Sequence, residues 1–172
     1  MRNYLAFLVF CLMASNALAQ SSGVDITGYG IMSGSAGVRD GVSSNGIEHR
    51  HGSATIVQTT TTIPACIGVR FGIGFSIAGA AGSAPVSITE VYKFPRSGLH
   101  KPDAPFPIPE TRFETALVPG VDGDGFWYEF DYPWELVPGD WIFEVRRNDR
   151  VLASKTFTVV AATQAQCPYL GA

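Results

Sequence analysis

The sequence is poor in charge and has no excess of positive charge. Of its 172 residues, 16% are charged, and 12 Lys and Arg face 15 Asp and Glu, for a formal net charge of −3. The basic side chains are scattered along the chain, with one adjacent pair at Arg146-Arg147. Proteins that bind nucleic acid carry a basic patch or stripe that matches the phosphate backbone. The composition therefore argues against a nucleic-acid partner.

No apolar run in the chain is long enough to span a membrane. The longest run is instead typical of a signal for export. Residues 5–14 are apolar, follow a positive charge at Arg2, and precede the small-x-small sequence of residues 17–19. A membrane span needs about 20 apolar residues, whereas this arrangement is that of a cleaved signal peptide. We predict that residues 1–19 are removed and that residues 20–172 form one exported domain, periplasmic or secreted, without a membrane span.

Cysteine is scarce, and its three positions are far apart. Cys11 lies in the predicted signal peptide, so Cys66 and Cys167 remain in the mature chain. Two cysteines in an oxidising compartment usually form one disulfide. The alternative, a reactive thiol pair, normally has the close C-x-x-C spacing. We therefore expect a structural disulfide between Cys66 and Cys167.

Helical periodicity is almost absent after residue 20, which excludes parallel α/β architectures. Alternation of apolar and other residues replaces it, most clearly in residues 66–77, where every second residue from Ile67 to Ile77 is apolar. This pattern is typical of a strand with one buried face. The glycines at the intervening positions indicate a strong twist, or a group that closely approaches the other face.

Weaker alternation predicts further strands along the chain, separated by turns. They lie at residues 24–32, 53–62, 86–94, 111–118, 126–132, 141–145 and 151–160. Glu90 is the one exception on the apolar face of its strand, and Asn148-Asp149 is expected to turn the last hairpin. About seven or eight short strands without crossover helices favour an all-β fold, an antiparallel β-sandwich or barrel.

Two segments do not fit a strand pattern. Residues 33–46 are rich in Gly and Ser, and we expect a mobile loop there. Residues 95–109 contain five prolines, which fix φ and remove backbone donors. An extended connection is expected, serving either as a stiff surface segment or as a ligand for an aromatic groove.

Histidine is the residue type that could hold a metal. On a strand, His49 and His51 would lie on the same face, and His100 in the proline-rich segment could supply a third nitrogen ligand. There is no spaced cysteine pair or fourth ligand to strengthen this pattern. The simpler interpretation is that residues 48–51 are a polar surface stretch.

Asp122 and Asp124 resemble part of a calcium loop. The helix–loop–helix template fails, because it places Phe126 and Pro133 at loop positions that require oxygen ligands. Asp and Gly are also the residues that tight turns demand. A turn is therefore favoured over a non-standard calcium site completed by a nearby carboxylate, and we predict no cofactor.

Residues 126–134 are the most aromatic part of the chain. If alternate residues from Phe126 to Tyr132 face the core, Trp127 points outward. An exposed Trp can stack on a sugar ring or contact a protein partner. If a loop or the proline-rich segment covers this face instead, Trp127 belongs to the packing.

The second half of the sequence resembles a known family. The resemblance rests on residues 63–65, 68–72 and 94–99, and above all on the Pro-Gly-x-Trp-x-Phe-Glu-Val block at 138–145. The family consists of small bacterial exported proteins, catalogued as a domain of unknown function with the series number three-eight-five-nine. The resemblance covers residues 24–160 and implies bacterial origin and export, without catalytic residues.

The same block, followed by a closing hairpin, is also similar to the end of immunoglobulin-like sandwich domains. In those domains a turn leads into a strand whose alternate residues fill the core. Cys167 falls beyond the last predicted strand, so it does not correspond to the intersheet cysteine of antibody domains. The resemblance therefore implies an immunoglobulin-like sandwich but leaves the strand order open.

These features predict a non-enzymatic exported module that binds an unknown protein or glycan partner in the cell envelope. Neither a nucleophile elbow nor a dinucleotide fingerprint is present. The candidates for ligand contact are Trp127, His49, His51 and His100. Two alternatives are a carbohydrate-binding module with Trp127 and Trp134 as its platform, and a small metalloprotein that uses the three histidines.

Overall fold

The computed structural model describes most of the chain after the predicted signal peptide. The described residues are 23–34, 37–52, 54–79, 84–120 and 124–167. Residues 1–19 and Asp122 lie outside them, as do the side chains of His51 and Asp124. Predictions about those groups stay predictions.

The described residues form eleven strands and two short 3₁₀ helices. The strands are β1 (Val24–Gly34), β2 (Val38–Val42), β3 (Glu48–His51), β4 (Ala54–Gln58), β5 (Thr62–Pro64), β6 (Arg70–Ile77), β7 (Val86–Lys93), β8 (Glu110–Leu117), β9 (Asp124–Glu129), β10 (Gly139–Arg147) and β11 (Arg150–Val160). The 3₁₀ helices are Pro133–Glu135 and Gln164–Gln166. Within this part of the chain no helix is long and apolar enough to cross a membrane. The predicted all-β class is confirmed.

The strands form two main sheets and a separate hairpin. The first sheet has the order β4-β1-β6-β9, and the second has the order β5-β11-β10-β7-β8. Strands β2 and β3 pair with each other. Neighbouring strands are antiparallel, except that β5 runs parallel to β11. The predicted sandwich is confirmed, with one parallel pair that the sequence did not indicate.

Aromatic rings from both sheets fill the core. The alternate residues Phe71, Ile73 and Phe75 of β6 are fully buried, as their spacing predicts. The ring of Phe71 contacts the second sheet, with centroids 5.8 Å from Trp141 and 5.3 Å from Phe157. Each such side chain contributes about 1.5–3 kcal/mol when it is fully buried. The contact between these rings therefore holds the two sheets together.

The prediction is wrong at the start of β6. Ile67 is 53% exposed, because the strand begins at Arg70 and residues 66–69 form a turn. The turn is closed by a hydrogen bond from the Val69 N–H to the Cys66 carbonyl, and Gly68 has a φ of 82°. Side chains in a turn do not follow the two-residue period of a strand. Ile67 consequently faces solvent.

The expected mobile loop at residues 33–46 instead contains β2. This strand pairs with β3, and its register shifts at a bulge between Arg39 and Gly41. A bulge adds one unpaired residue and interrupts alternation, so the strand is not visible in the sequence pattern. The prediction of an extended connection at residues 95–109 is wrong, because turns at residues 95–98 and 101–104 reverse the chain and Leu99 pairs with Ile108 in an antiparallel bridge.

The last hairpin turns at Asn148-Asp149, as predicted. Both residues have positive φ, 48° and 63°. This is the type I′ geometry, whose twist matches that of the two flanking strands. The turn therefore sets the pairing of β10 with β11.

Cys66 and Cys167 form the predicted disulfide. Their Cα atoms are 5.7 Å apart, in the range usual for such bridges. The bond joins the turn that precedes β6 to the tail that follows β11. It therefore links the ends of strands that belong to different sheets.

Replacing both cysteines with Ala should lower the free energy of unfolding by about 2–5 kcal/mol. The physical reason is that the bridge closes a loop across 101 positions and so restricts the unfolded chain. Urea denaturation followed by tryptophan fluorescence measures the loss. Reduction of the wild-type protein with dithiothreitol should produce the same shift, and unchanged midpoints in both experiments would contradict the structural role of the bridge.

Candidate ligand-binding cleft

The β2–β3 hairpin lies across one open side of the sandwich. At this side, β9 is the edge of the first sheet and β8 is the edge of the second. His49 on β3 packs against Phe113 on β8, with ring centroids 4.3 Å apart and planes tilted by 31°. Arg50 on β3 pairs with Asp131, just after β9, with 3.1 Å between Nη2 and Oδ2. The hairpin therefore bridges the edges of the two sheets.

A cleft of about 250 Å³ lies between this hairpin, the end of β9 and the proline-rich segment. Its volume is just below the roughly 300–1,000 Å³ of typical small-molecule sites. Charged side chains of both signs line it, together with His49. The aromatic side chains of the lining are Tyr92, Phe113, Trp127, Tyr128, Tyr132 and Trp134.

Two of the residues predicted to contact a ligand, His49 and Trp127, meet at this cleft. His100 is exposed and is not part of the lining, although residues 101–103 of the same segment are. His49, Trp127 and residues 101–103 come from three distant parts of the sequence. Their convergence is a property of the fold.

The histidine metal site gains no support from the described side chains. In this part of the chain, no three His, Cys, Asp or Glu side chains are close enough to hold an ion. His49 instead lies beside a carboxylate, with 3.4 Å between its Nε2 and Oε2 of Glu90. His51, Asp122 and Asp124 are not tested, because their side chains fall outside the described residues.

The contact with His49 also explains the polar exception in the strand at 86–94. Glu90 is only 5% exposed and lies on the same face of β7 as the buried Ile88 and Tyr92. A buried carboxylate is costly unless a charged or hydrogen-bonding partner compensates it. The hairpin brings such a partner to Glu90, so this position marks where the cleft adjoins the core.

Trp127 is half-buried. One part of its side chain belongs to the packing and another part faces outward, so each of the two interpretations of this residue holds in part. On the neighbouring strand it faces Gly72, where an added Cβ would lie 2.8 Å from the Cβ of Trp127. Such a close approach is one of the two arrangements that the glycine pattern indicates, the other being a strong twist. The guanidinium carbon of Arg70 lies 5.4 Å from the centre of the indole ring, a cation–π contact. The rest of the ring lines the cleft.

Tyr132 does not face the core as predicted, and is 42% exposed. The reason is that β9 ends at Glu129 and a 3₁₀ helix at Pro133–Glu135 ends the alternation. The ring of Tyr132 instead stacks on Trp134, with centroids 5.7 Å apart and planes 10° from parallel. The Tyr132–Trp134 pair therefore forms an aromatic wall of the cleft.

Glu135 fixes the chain at this aromatic pair. Its buried carboxylate accepts hydrogen bonds from the backbone N–H groups of Asp131 and Tyr132, at 2.7 and 2.8 Å, and from the hydroxyl of Tyr128 at 2.7 Å. Burial raises the pKa of Glu135, and the three hydrogen bonds oppose this effect. The hydrogen bonds therefore stabilise the ionised form of a carboxylate that burial disfavours.

Two further carboxylates at the cleft, those of Asp131 and Glu48, lie beside guanidinium groups. Burial raises the pKa of Asp131, Arg50 lowers it, and Glu129 and Glu48 raise it. The Oε2 atom of Glu48 lies 2.6 Å from Nη2 of Arg39, an ion pair that lacks the geometry of a hydrogen bond. The acidic and basic groups are thus close enough to affect one another's ionisation.

Sequence reasoning missed most of the wall of the cleft. Arg50 was assigned to a polar surface stretch, and Phe113 was assigned only to a weak strand. Two signals pointed to the site, namely the polar Glu90 in an apolar face and the aromatic density at 126–134. Neither indicated that a hairpin would bring them together.

Tyr128→Phe should destabilise the protein more at neutral pH than at acidic pH. In the wild type, the hydroxyl of Tyr128 lowers the pKa of Glu135. Its removal therefore raises the pKa of Glu135 in the folded state further. Stability is then lost as pH rises through that pKa, because the ionised carboxyl is less favourable in the folded state. We expect a loss of about 1.5–3 kcal/mol at pH 7, and a smaller loss below the ordinary pKa of 4.5.

Tyr92→Phe is the matched control for this experiment. It removes a hydroxyl that donates to the backbone carbonyl of Trp127 at 3.0 Å, an acceptor that does not titrate. Its effect on the free energy of unfolding should therefore be the same at both pH values. Urea denaturation of the wild type and the two variants measures the difference, and an equal pH dependence in the two variants would contradict the prediction.

The chain is similar to a known protein family and to a protein of known structure. Residues 20–159 match the family described as "Domain of unknown function (DUF3859)". The chain is also similar to an immunoglobulin-like protein of known crystal structure from Pseudomonas aeruginosa, with 31% identity and a TM-score of 0.52. The similarity covers 82% of this chain and 99% of that one. No protein of curated function matches significantly.

The immunoglobulin-like character that the sequence predicted is confirmed by this likeness. The family match covers the β-sandwich and the strands that build the cleft. The chain belongs to the DUF3859 family, a domain family of unknown function with an immunoglobulin-like β-sandwich.

Proposed function

We propose that the protein is an exported, non-enzymatic binding module that holds a small ligand, or the end of a larger one, in the cleft. The observation that carries this proposal is the convergence of His49, Trp127 and residues 101–103 on one cavity. Function on domains of this kind commonly lies in loops and strand ends that a rigid scaffold positions. The hairpin and the proline-rich segment are such elements.

The chemistry of the lining supports binding rather than catalysis. Among the described residues, no Ser, Thr or Cys lines the cleft beside His49, so a hydroxyl or thiol nucleophile with a histidine base has no counterpart there. Two of its carboxylates are engaged in ion pairs, Glu129 with Arg70 at 2.6 Å and Asp131 with Arg50 at 3.1 Å. Paired side chains of this kind hold a fixed shape, as a binding site requires.

Three features support export. The apolar run at residues 5–14 is followed by a small-x-small site ending at Ala19. The family match begins at residue 20. The disulfide is of the kind that persists in oxidising compartments. We therefore propose a periplasmic or secreted mature protein whose partner is a protein or glycan of the cell envelope.

The cleft should bind at least one member of a mixed panel of amino acids, amines, carboxylic acids, nucleosides and monosaccharides. A ligand present at 100 times its Kd stabilises the folded state by about 2.7 kcal/mol. For a domain of this size, each kcal/mol raises the Tm by roughly 2–4 °C. Thermal unfolding of the wild type with each compound measures the shift.

Two exposed aromatic residues provide a variant and its control. Tyr132→Ala removes an exposed ring that lines the cleft, whereas Phe106→Ala removes a 77% exposed ring that does not line it. The Tm shift should persist in Phe106→Ala and be lost in Tyr132→Ala. A panel without any stabilising compound, or an undiminished shift in Tyr132→Ala, would overturn the assignment of the cleft.

Expression of the full chain in a bacterial host should yield a mature protein that begins at Gln20. Its intact mass, measured with alkylation before and after reduction, should show one disulfide and no free thiol. The physical reason is that the bridge forms only after the chain reaches an oxidising compartment. Retention of residues 1–19, or two free thiols in the exported protein, would contradict the proposal.

A further inference from the structure

We propose that the ligand of the cleft is a neutral saccharide unit, a monosaccharide or the terminal residue of a glycan. This inference rests on the proposed binding function and assigns the chemical class of its ligand. Three properties of the cleft lead to it: aromatic rings that are exposed or half-buried, three carboxylates that already lie beside guanidinium groups, and a small volume.

The aromatic rings offer flat apolar surface. The Tyr132–Trp134 pair lines the cleft after β9, and the indole of Trp127 lines it within β9. Tyr and Trp rings combine an apolar body with a polar edge. A sugar ring has the matching character, because its C–H groups form an apolar face and its hydroxyls lie around the rim.

Three ion pairs at the cleft argue against an ionic ligand that would compete with one of their members. Each of three carboxylates already lies beside a guanidinium: Glu129 and Arg70 at 2.6 Å, Asp131 and Arg50 at 3.1 Å, and Glu48 and Arg39 at 2.6 Å. A charged ligand would disturb these pairs, and an uncompensated charge in a partly buried site is costly. A neutral ligand leaves the pairs intact.

Hydroxyl groups fit this paired arrangement. A hydroxyl donates one hydrogen bond and accepts others, so it can bind a carboxylate oxygen or a guanidinium N–H that belongs to a pair. At the rim formed by the proline-rich segment, Lys101 and Asp103 again provide one group of each sign. The polar wall thus suits a ligand with several hydroxyls and no net charge.

The volume limits the size of the bound unit. The cleft has a volume of about 250 Å³, just below the range of roughly 300–1,000 Å³ that is typical of small-molecule sites. This space accommodates one sugar ring with its substituents rather than several linked rings. A longer glycan would therefore enter with a terminal residue only.

The three tryptophans provide the test. Trp127 and Trp134 line the cleft, whereas Trp141 is buried in the core, where its indole N–H donates to the Val137 carbonyl at 3.0 Å. The mature protein, labelled with ¹⁵N, is titrated with neutral methyl hexosides and methyl N-acetylhexosaminides. At least one glycoside should shift the indole signals of Trp127 and Trp134 and leave that of Trp141 unchanged.

Sorbitol, amino acids, simple amines, carboxylic acids and nucleosides are titrated in parallel. Sorbitol has the hydroxyls without a preformed ring face, so it should not shift the two indole signals at the same concentration. Tyr132→Ala should weaken binding of the active glycoside by about tenfold or more, since tenfold corresponds to about 1.4 kcal/mol. Phe106→Ala should leave its Kd unchanged.

The outcomes separate the saccharide assignment from the proposed function. If an amino acid, an amine, a carboxylic acid or a nucleoside shifts the Trp127 and Trp134 signals and no glycoside does, the saccharide assignment is overturned and the binding function stands. If no compound shifts them, both are overturned. A glycoside that binds Tyr132→Ala as tightly as the wild type would place the sugar elsewhere and likewise overturn the assignment.

Discussion

The contact of β3 with both sheet edges is the constraint on which the cleft depends. His49 packs against Phe113 of the second sheet, and Arg50 pairs with Asp131 at the end of the first. The core holds the two sheets together through rings such as Phe71, but it does not close their open side. The hairpin closes that side, and the cleft lies beneath and beside it. The site is therefore a consequence of how a peripheral hairpin packs, while the sandwich provides the rigid support.

The buried carboxylate of Glu135 is the second interaction on which the cleft depends, because it fixes the wall formed by the Tyr132–Trp134 pair. Its hydrogen bonds from Tyr128 and from two backbone N–H groups hold the short helix that interrupts the strand pattern. This interruption leaves the Tyr132–Trp134 pair at the cleft rather than in the core. A costly buried charge is thus offset by directed hydrogen bonds, and the result is an exposed aromatic surface.

The sequence pattern is informative where local rules decide and uninformative where contacts between distant segments decide. Alternation predicts the buried face of β6, and the positive-φ turn at Asn148-Asp149 follows from local preferences. The disulfide follows from the number of cysteines and from the oxidising compartment that the sequence predicts. Ile67 and Tyr132 are misassigned because a turn and a 3₁₀ helix end the two-residue period there. The alternation of β2 is interrupted by a bulge. His49 and Trp127 are identifiable as single candidates, but their convergence depends on the packing of the hairpin, which no local pattern encodes.

The contact between the hairpin and the second sheet is the central claim, and it can be observed directly in solution. Nuclear Overhauser spectroscopy of the mature protein should show cross-peaks between the ring protons of His49 and those of Phe113, whose centroids lie 4.3 Å apart. Such cross-peaks would establish that the hairpin lies across the open side of the sandwich. Their absence, with both rings assigned and the core cross-peaks of Phe71 present, would mean that the hairpin is detached and that the cleft does not exist.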